Sequence, residues 1–339
     1  ELDGYDLTPV LTGTGPSPRD EVFYYRGTEI WAARLGRYKL HYQTKSGYLR
    51  EERLKHDPPL LFDLMVDPGE RYNVADEHPE ALEAIEREAP SPGEALRQMV
   101  AHLGREGVLQ LVTDEALGGD VFRALALGRE RLGRLSPLAD LALTMQGLGS
   151  FPITIAAREY DQANAAELLA PIVAGEQVAA FALTEPDAGT DLSRIASRAS
   201  RDGDDYVLDG EKVYISNAPI ADRFTYFART GDEGRLSAFV VDRSDAGVEA
   251  ETQDVIGGHP IGRLRLSGVR VPAERRLGPE GKGMALALGT LGSFRPTVGA
   301  AAVGFAQRAL DQVARQVHAR AHRLGAVPRD TRAGTRSAD

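Results

Sequence analysis

Two stretches decide how this chain folds: Phe181-Ala-Leu-Thr-Glu-Pro-Asp-Ala-Gly-Thr-Asp191 and Tyr206-Val-Leu-Asp-Gly-Glu-Lys-Val-Tyr-Ile-Ser-Asn217. The first is an apolar strand that opens into a loop bearing Thr184, Gly189 and Thr190. Such a loop can aim hydroxyls and backbone N–H groups at a polar cofactor, with Gly189 allowing close backbone approach. The same residues also read as a strand followed by an ordinary turn. The second stretch reads as a hairpin closed by Asp209-Gly210, a pair suited to the positive φ angles of a tight turn. Strand alternation then sends Tyr214 and Ser216 to one face and Val213 and Ile215 to the other. A ring and a hydroxyl on one face suit a flat cofactor ring, and Tyr214 reads equally well as a core aromatic with its hydroxyl satisfied.

Outward from these stretches the texture changes twice. From Val178 to Pro272 the apolar period tends towards two, and Val178–Leu183, Tyr206–Leu208, Lys212–Ser216, Phe224–Arg229, Leu236–Asp242 and Leu264–Val271 read as strands of a small barrel or sandwich. Between Glu94 and Gln177 the spacing is helical, with breaks at Gly118-Gly119, Ser136-Pro137 and Ser150-Phe151-Pro152. After Gly281 one long helix runs towards Arg320, and Pro296 should kink it because proline removes a donor and crowds the preceding turn. Towards the N-terminus, Glu21–Arg26 reads as a strand, and Ile30–Leu35 with Tyr38–Tyr42 as a hairpin across Gly36-Arg37. Pro79 to Glu88 reads as a charged helix, ended by Ala89-Pro90-Ser91-Pro92-Gly93.

Composition excludes several functions. A formal charge of −10 argues against a nucleic-acid surface, since lysine and arginine supply most phosphate affinity. Without cysteine there is no disulfide framework, thiolate nucleophile or cysteine-ligated zinc, which fits a cytoplasmic protein. No apolar run reaches the roughly 18 residues of a membrane span. His318 and His322 are four apart and offer a metal pair on a helix face, but no third ligand stands at a defensible spacing, and solvated histidines are the plainer reading.

Taken together and in order, the two stretches resemble the acyl-CoA dehydrogenase family. The resemblance runs from about residue 93 to 325 and is C-terminally incomplete; it extends through Leu103-Gly-Arg-Glu-Gly107, Leu138-Ala-Asp-Leu-Ala-Leu-Thr-Met-Gln-Gly-Leu-Gly149, Pro171-Ile-Val-Ala-Gly-Glu176, Leu277-Gly-Pro-Glu-Gly-Lys-Gly283 and Phe294-Arg-Pro-Thr-Val-Gly-Ala300. It implies a helical N-terminal domain, a β-barrel middle domain and a C-terminal helical domain, with FAD held between them in a homo-oligomer. By residue, it implies that Phe181, Leu183, Thr184, Gly189 and Thr190 cradle the flavin and its pyrophosphate, and that Tyr214, Ile215 and Ser216 lie against the isoalloxazine ring. Arg320 matches an arginine that reaches a neighbouring subunit's FAD, Arg295 one on the substrate side, and Thr190 also falls where the family contacts acyl-CoA. The implied reaction is α,β-dehydrogenation of an acyl-CoA thioester, in which a carboxylate takes the α-proton, the β-hydrogen leaves as hydride, and an electron-transfer flavoprotein or similar acceptor takes the electrons.

The chain departs from the family's pattern at the chemistry. In most members the base is a glutamate further along than Asp339, and in a minority it precedes the arginine matched by Arg295, where this chain has Phe294. The aspartate often found three residues before that arginine is Gly292 here. No catalytic residue is therefore assigned, and weak or absent turnover is expected of a truncated, fused chain.

Glu1-Leu-Asp-Gly-Tyr-Asp-Leu-Thr-Pro-Val-Leu-Thr-Gly13, Trp31-Ala-Ala-Arg-Leu-Gly-Arg-Tyr-Lys-Leu-His41 and Leu61-Phe-Asp-Leu-Met-Val-Asp-Pro-Gly-Glu-Arg-Tyr-Asn-Val-Ala75 resemble the C-terminal subdomain of arylsulfatases, a small antiparallel sheet with a helix. That family's nucleophile comes from a Cys/Ser-x-Pro-x-Arg motif, which is absent here, so this part is expected to be catalytically silent. Asp63, Asp67 and Glu70 invite a calcium assignment, but turn carboxylates are the plainer reading. The expected class is thus multidomain α+β. The expected boundaries are 1–88 sulfatase-like, 89–93 linker, 94–177 helical, 178–273 barrel, 277–325 the start of a C-terminal helical domain, and 326–339 a disordered tail.

Overall fold

A computed structural model describes residues 12, 14, 15, 21–26, 29–45, 53–88, 92–113, 121–253, 255 and 259–323. The expected Gly118-Gly119 break, the tail from 326, and most of the linker and of the first thirteen residues lie outside them. The architecture is α+β, in two compact units: Glu1–Ala95 with Asp254–Pro260, and Leu96–Gln253 with Ile261–Asp339.

In the first unit, β1 (Glu21–Arg26), β2 (Glu29–Leu35), β3 (Tyr38–Thr44) and β4 (Leu54–Asp63) form an antiparallel sheet in that order. Gly36 takes the positive φ that the β2–β3 turn requires. The helix α1 (Pro79–Glu88) closes a small core of Ala33, Leu40, Leu61, Ala75 and Ile85. Strand β4 is unexpected from the sequence, because Pro58-Pro59 argues against a strand. It is tolerated because β4 is the outermost strand, and the prolines fall where the register slips between Gln43↔Lys55 and His41↔Leu60.

The second unit opens within α2 (Pro92–Arg105), at Leu96, and continues with a short 3-10 turn (Val108–Val112), α3 (Val121–Leu135), α4 (Pro137–Tyr160) and α5 (Ala165–Val173). The Ser136 hydroxyl caps α4 by accepting from the Ala139 N–H, and Pro137 stands at the first helical position, where it costs no hydrogen bond. The expected break at Ser150-Phe151-Pro152 does not occur, and α4 runs straight through it. From Gln146 to Ala156 all residues but Leu148 are buried, so packing overrides the local breaker; the Gly149 carbonyl takes a hydrogen bond from the Thr225 hydroxyl at 2.7 Å.

Eight strands follow: β5 (Ala179–Ala182), β6 (Arg198–Asp202), β7 (Asp205–Ser216), β8 (Arg223–Thr230), β9 (Arg235–Asp242), β10 (Val248–Thr252), β11 (Ile261–Pro272) and β12 (Arg276–Leu277). The hydrogen-bonded path among the described residues is β10-β11-β7-β6-β8-β9-β12, with β5 parallel to β8. The expected hairpin at Asp209-Gly210 is not there: β7 is one twelve-residue strand, paired with β6 through Asp209 and with β11 through Gly210 and Glu211. The turn lies six residues earlier, at Gly203-Asp204, between the paired Asp202 and Asp205. Gly210 serves another purpose, since a Cβ there would come within 2.8 Å of Ser197 backbone.

The last helix, α6 (Gly283–Arg323), continues through Pro296 and packs on α3 and α4. Arg129 of α3 donates to both carboxylate oxygens of Asp140 on α4 at 2.8 and 3.1 Å and to the Thr297 hydroxyl on α6 at 2.9 Å, all buried. Buried Gln146 ties helices to sheet: its amide donates to the Gln177 carbonyl at 2.9 Å and its oxygen accepts from the Ala179 N–H at 2.7 Å. Among the described residues, no helix is long and apolar enough to cross a membrane.

Candidate functional site

Strand β5 leaves Gln146 and enters the loop with Leu183 buried and Thr184 half-buried. Glu185 and Ala188 exchange backbone hydrogen bonds at 3.0 and 3.2 Å, pinching Pro186 and Asp187 outward in a tight turn. Gly189 and Thr190 are exposed beyond it. A Cβ on Gly189 would meet nothing within 4 Å, so neither protein crowding nor a positive φ demands glycine there. The open space is instead suited to a ligand lying on the backbone.

This loop runs beside the end of β7. The Val213 N–H donates to the Thr184 carbonyl at 2.9 Å, and the Asn217 amide donates to the Ala179 carbonyl at 3.1 Å. Val213 and Ile215 are buried, Ser216 is half-buried and the Tyr214 side chain is 65% exposed, as alternation requires. Tyr214 adopts φ +56° and Asn217 φ +67°, a left-handed backbone uncommon for residues with side chains. The Tyr214 N–H donates to the Gln253 side-chain oxygen at 2.7 Å rather than to a neighbouring strand. Strain of this kind gathers at ligand sites. Asn217 is fully buried, and its side-chain oxygen has no hydrogen-bond partner among the described residues. Phe181, half-buried, packs edge-on against Phe227 with ring centroids 5.0 Å apart.

The structure thus ties Leu183 and Thr184 to β7, the strand that carries Tyr214, Ile215 and Ser216, while Gly189 and Thr190 are exposed beyond the turn and Phe181 packs on Phe227. None of the hydrogen bonds joining these segments involves Arg295, which is exposed on α6 beside buried Phe294. Arg320 is on the same helix, and its side chain, like those of His318 and His322, lies outside the described residues.

The residues that hold the loop in place were not singled out from sequence. Lys212, with no exposed side-chain surface, donates to Glu185 at 2.7 Å and to the Leu183 carbonyl at 3.2 Å, and its ammonium sits 4.9 Å from the centre of the Tyr226 ring. Glu185 also accepts from the N–H groups of Ala196 and Ser197 at 2.6 and 3.1 Å and from the Ser197 hydroxyl at 2.5 Å. The Tyr226 hydroxyl closes the network by donating to Ser197 at 2.9 Å. Burial pushes the Glu185 carboxyl up, but Lys212 and the N–H donors outweigh it and hold the group below its usual range. Burial lowers the Lys212 ammonium to about 8 against the pull of Glu185, so at neutral pH the pair is charged. Strand parity alone does not single them out: Lys212 shares its parity with buried Tyr206 and Leu208 but also with exposed Tyr214, because the pairing register with β11 shifts between Lys212 and Ile215.

In the first unit the three turn carboxylates are engaged by donors. Asp63 pairs with Arg37, Asp67 accepts from the N–H groups of Arg71 and Tyr72 at 2.5 and 2.8 Å, and Glu70 pairs with Lys39 at 2.6 Å and His41 at 2.7 Å. These are turn and strand ties between neighbouring elements.

Comparison with known protein families gives two matches, of which the second runs past the unit boundary at Ala95. Residues 180–269 match the acyl-CoA dehydrogenase middle domain, and residues 17–107 match the C-terminal region of aryl-sulfatase. The chain is 34% identical over 245 residues to cyclohexane-1-carbonyl-CoA dehydrogenase of Geobacter metallireducens, covering 68% of this chain and 63% of that protein. It is 33% identical over 241 residues to a subunit of the caffeyl-CoA reductase-Etf complex of Acetobacterium woodii, covering 69% of this chain and 62% of that protein. Among solved structures it is similar to an acyl-CoA dehydrogenase from Bacillus anthracis complexed with FAD, with TM-score 0.58 and 32% identity over 65% of this chain and 38% of the other. The chain therefore spans less than two thirds of the length of these proteins. Over about two thirds of its length this chain resembles the acyl-CoA dehydrogenase family, behind a segment that resembles the C-terminal region of aryl-sulfatases.

Proposed function

We propose that the second unit binds FAD at the junction of the 184–190 loop and the end of β7, and presents it to an acyl-CoA thioester for α,β-dehydrogenation. The observation that carries this reading is the hydrogen bond from the Val213 N–H to the Thr184 carbonyl, 2.9 Å, which keeps an open, hydroxyl-bearing loop beside an exposed tyrosine. Thr184 and Thr190 offer hydroxyls, and Gly189 a bare backbone, to the pyrophosphate and flavin edge. Tyr214 offers a ring face and Ser216 a hydroxyl to the isoalloxazine, while Phe181, Leu183 and Ile215 give an apolar backing that excludes water. Bound there, FAD supplies the hydride acceptor. Arg295 and Thr190 face the acyl-CoA, Arg320 reaches the FAD of a second copy in a homo-oligomer, and an electron-transfer flavoprotein or similar acceptor re-oxidises the enzyme; the FAD-bound and Etf-associated proteins named above support these assignments.

Abstraction of an acyl α-proton needs a well-placed base. Phe294 is buried, with its ring 5.5 Å from that of Phe151, and Gly292 has no side chain, so neither position supplies a carboxylate. This favours a second reading, in which the chain holds flavin and acyl-CoA with slow or no turnover. The domain assignments 94–177, 178–273 and 277–325 go with the flavin reading, and the sulfatase-like unit is proposed to be catalytically silent.

Titration of the purified 339-residue chain with FAD tests the proposal. Saturable binding with a perturbed visible flavin spectrum is expected, weakened about tenfold or more by Thr184→Val or Ser216→Ala. A chain that folds but leaves the flavin spectrum unchanged would defeat it. Bleaching of bound flavin by an acyl-CoA then separates the two readings.

A further inference from the structure

We infer that Lys212 and Glu185 are positioning residues for the flavin-facing loop: their buried ion pair fixes where Thr184 to Thr190 lie against β7. This rests on the flavin reading and extends it to two residues that would not themselves touch the cofactor. The pair joins positions 27 residues apart, one in the loop and one in the strand. Lys212 does more than neutralise Glu185, because its ammonium also reaches the Leu183 carbonyl at 3.2 Å, one residue before Thr184. Glu185 in turn grips Ala196, Ser197 and Lys212, so the far side of the loop is anchored to the segment entering β6. The bond from the Val213 N–H to the Thr184 carbonyl, 2.9 Å, adjoins this anchor on both segments.

Burying two charges is costly, and an apolar pair of similar volume is often no less stable. Stability alone does not call for an ion pair here. A tie between a loop and a strand does, since a charge-assisted hydrogen bond joins two particular atoms and is about twice as strong as a neutral one, whereas apolar contacts can slide. Gly210 belongs to the same device: its missing Cβ lets Ser197 sit against β7, within reach of Glu185.

The test compares Lys212→Met, Glu185→Gln and the double variant with the parent chain. Each single variant leaves a lone buried charge or an unanswered donor, so thermal stability falls. In the double variant stability should recover towards the parent while the flavin Kd stays at least about tenfold weaker, because the tie is gone although no charge is stranded. A double variant whose flavin Kd and flavin spectrum match the parent would overturn the inference, since a merely structural pair restores both together. If the double variant does not fold, Glu185→Asp keeps both charges and shortens the tie, and an unchanged Kd there overturns the inference equally. Should the parent bind no flavin, the flavin reading fails separately. Hydrogen exchange at the Val213 amide then decides: exchange at least about tenfold faster in the altered chain supports the tie, and unchanged exchange sinks it.

Discussion

The two units use charge in opposite ways. In the N-terminal sheet, Lys39, His41 and Glu70 meet at a partly open edge, with side chains 16%, 18% and 28% exposed. In the eight-stranded unit, Lys212 and Glu185 are 0% and 5% exposed, and Arg129 and Asp140 are 6% and 7%. Water near the first group can solvate either partner if the other is lost. No such relief exists at these two pairs, so their charges bind elements together more rigidly and are more damaging to break. The contrast matches the proposed division of labour, in which one unit is silent and the other must hold a loop and a strand in register.

This contrast can be broken most directly at Lys212. Lys212→Met should lower unfolding free energy by about 3–5 kcal/mol in denaturant titration, because Glu185 is left charged and buried; a loss below about 1 kcal/mol would erase the distinction between the units. Phe294→Ala should cost about as much, 3–5 kcal/mol, since it empties the space between Phe151 and Gly147. Acyl-CoA binding to the variant then asks whether this ring shapes the substrate side.

A pH series sharpens the comparison next. Native Lys212 gives up its proton near 8 while the unfolded chain keeps its own to its ordinary value of 10.5. Between those values the unfolded state binds more protons, so this residue's contribution to stability rises with pH even as the ion pair is lost. Lys212→Met should flatten the stability profile between about pH 8 and 10.5.

The smallest effects belong to the first unit. Lys39→Met should change stability by no more than about 1 kcal/mol. Burial holds the His41 imidazole below its ordinary value of 6.5 against the pull of Glu70, so protonation is resisted in the folded state. Stability contributed by His41 is present above 6.5 and lost as pH falls below it, and His41→Gln should reduce that loss in thermal melts.

Much of this architecture is legible from local pattern. Alternation locates most of β5, β8, β9 and β11, and the apolar spacing after Gly281 locates α6. The failures share a physical cause, which is that partners distant in sequence decide the outcome. Pro152 stays helical because α4 is buried on nearly every side, and Pro58-Pro59 lies in a strand because that strand is outermost. Two Asp/Gly pairs six residues apart compete for one hairpin, and the strand pairing of β6 chooses Gly203-Asp204. At the site, Thr184, Gly189, Tyr214 and Ser216 announce themselves by type and resemblance. Lys212 and Glu185 do not, because each is an ordinary surface residue until the other is found 2.7 Å away.

Tyr214 sits in a backbone shape that glycine would adopt freely and tyrosine resists. Replacing it with glycine would relieve about 1–2 kcal/mol of backbone strain while deleting the ring that stands 65% exposed to solvent. On the proposed flavin reading, robustness and recognition therefore pull this one position in opposite directions, and engineering the chain for heat resistance alone would tend to strip away the aromatic surface proposed to meet the cofactor.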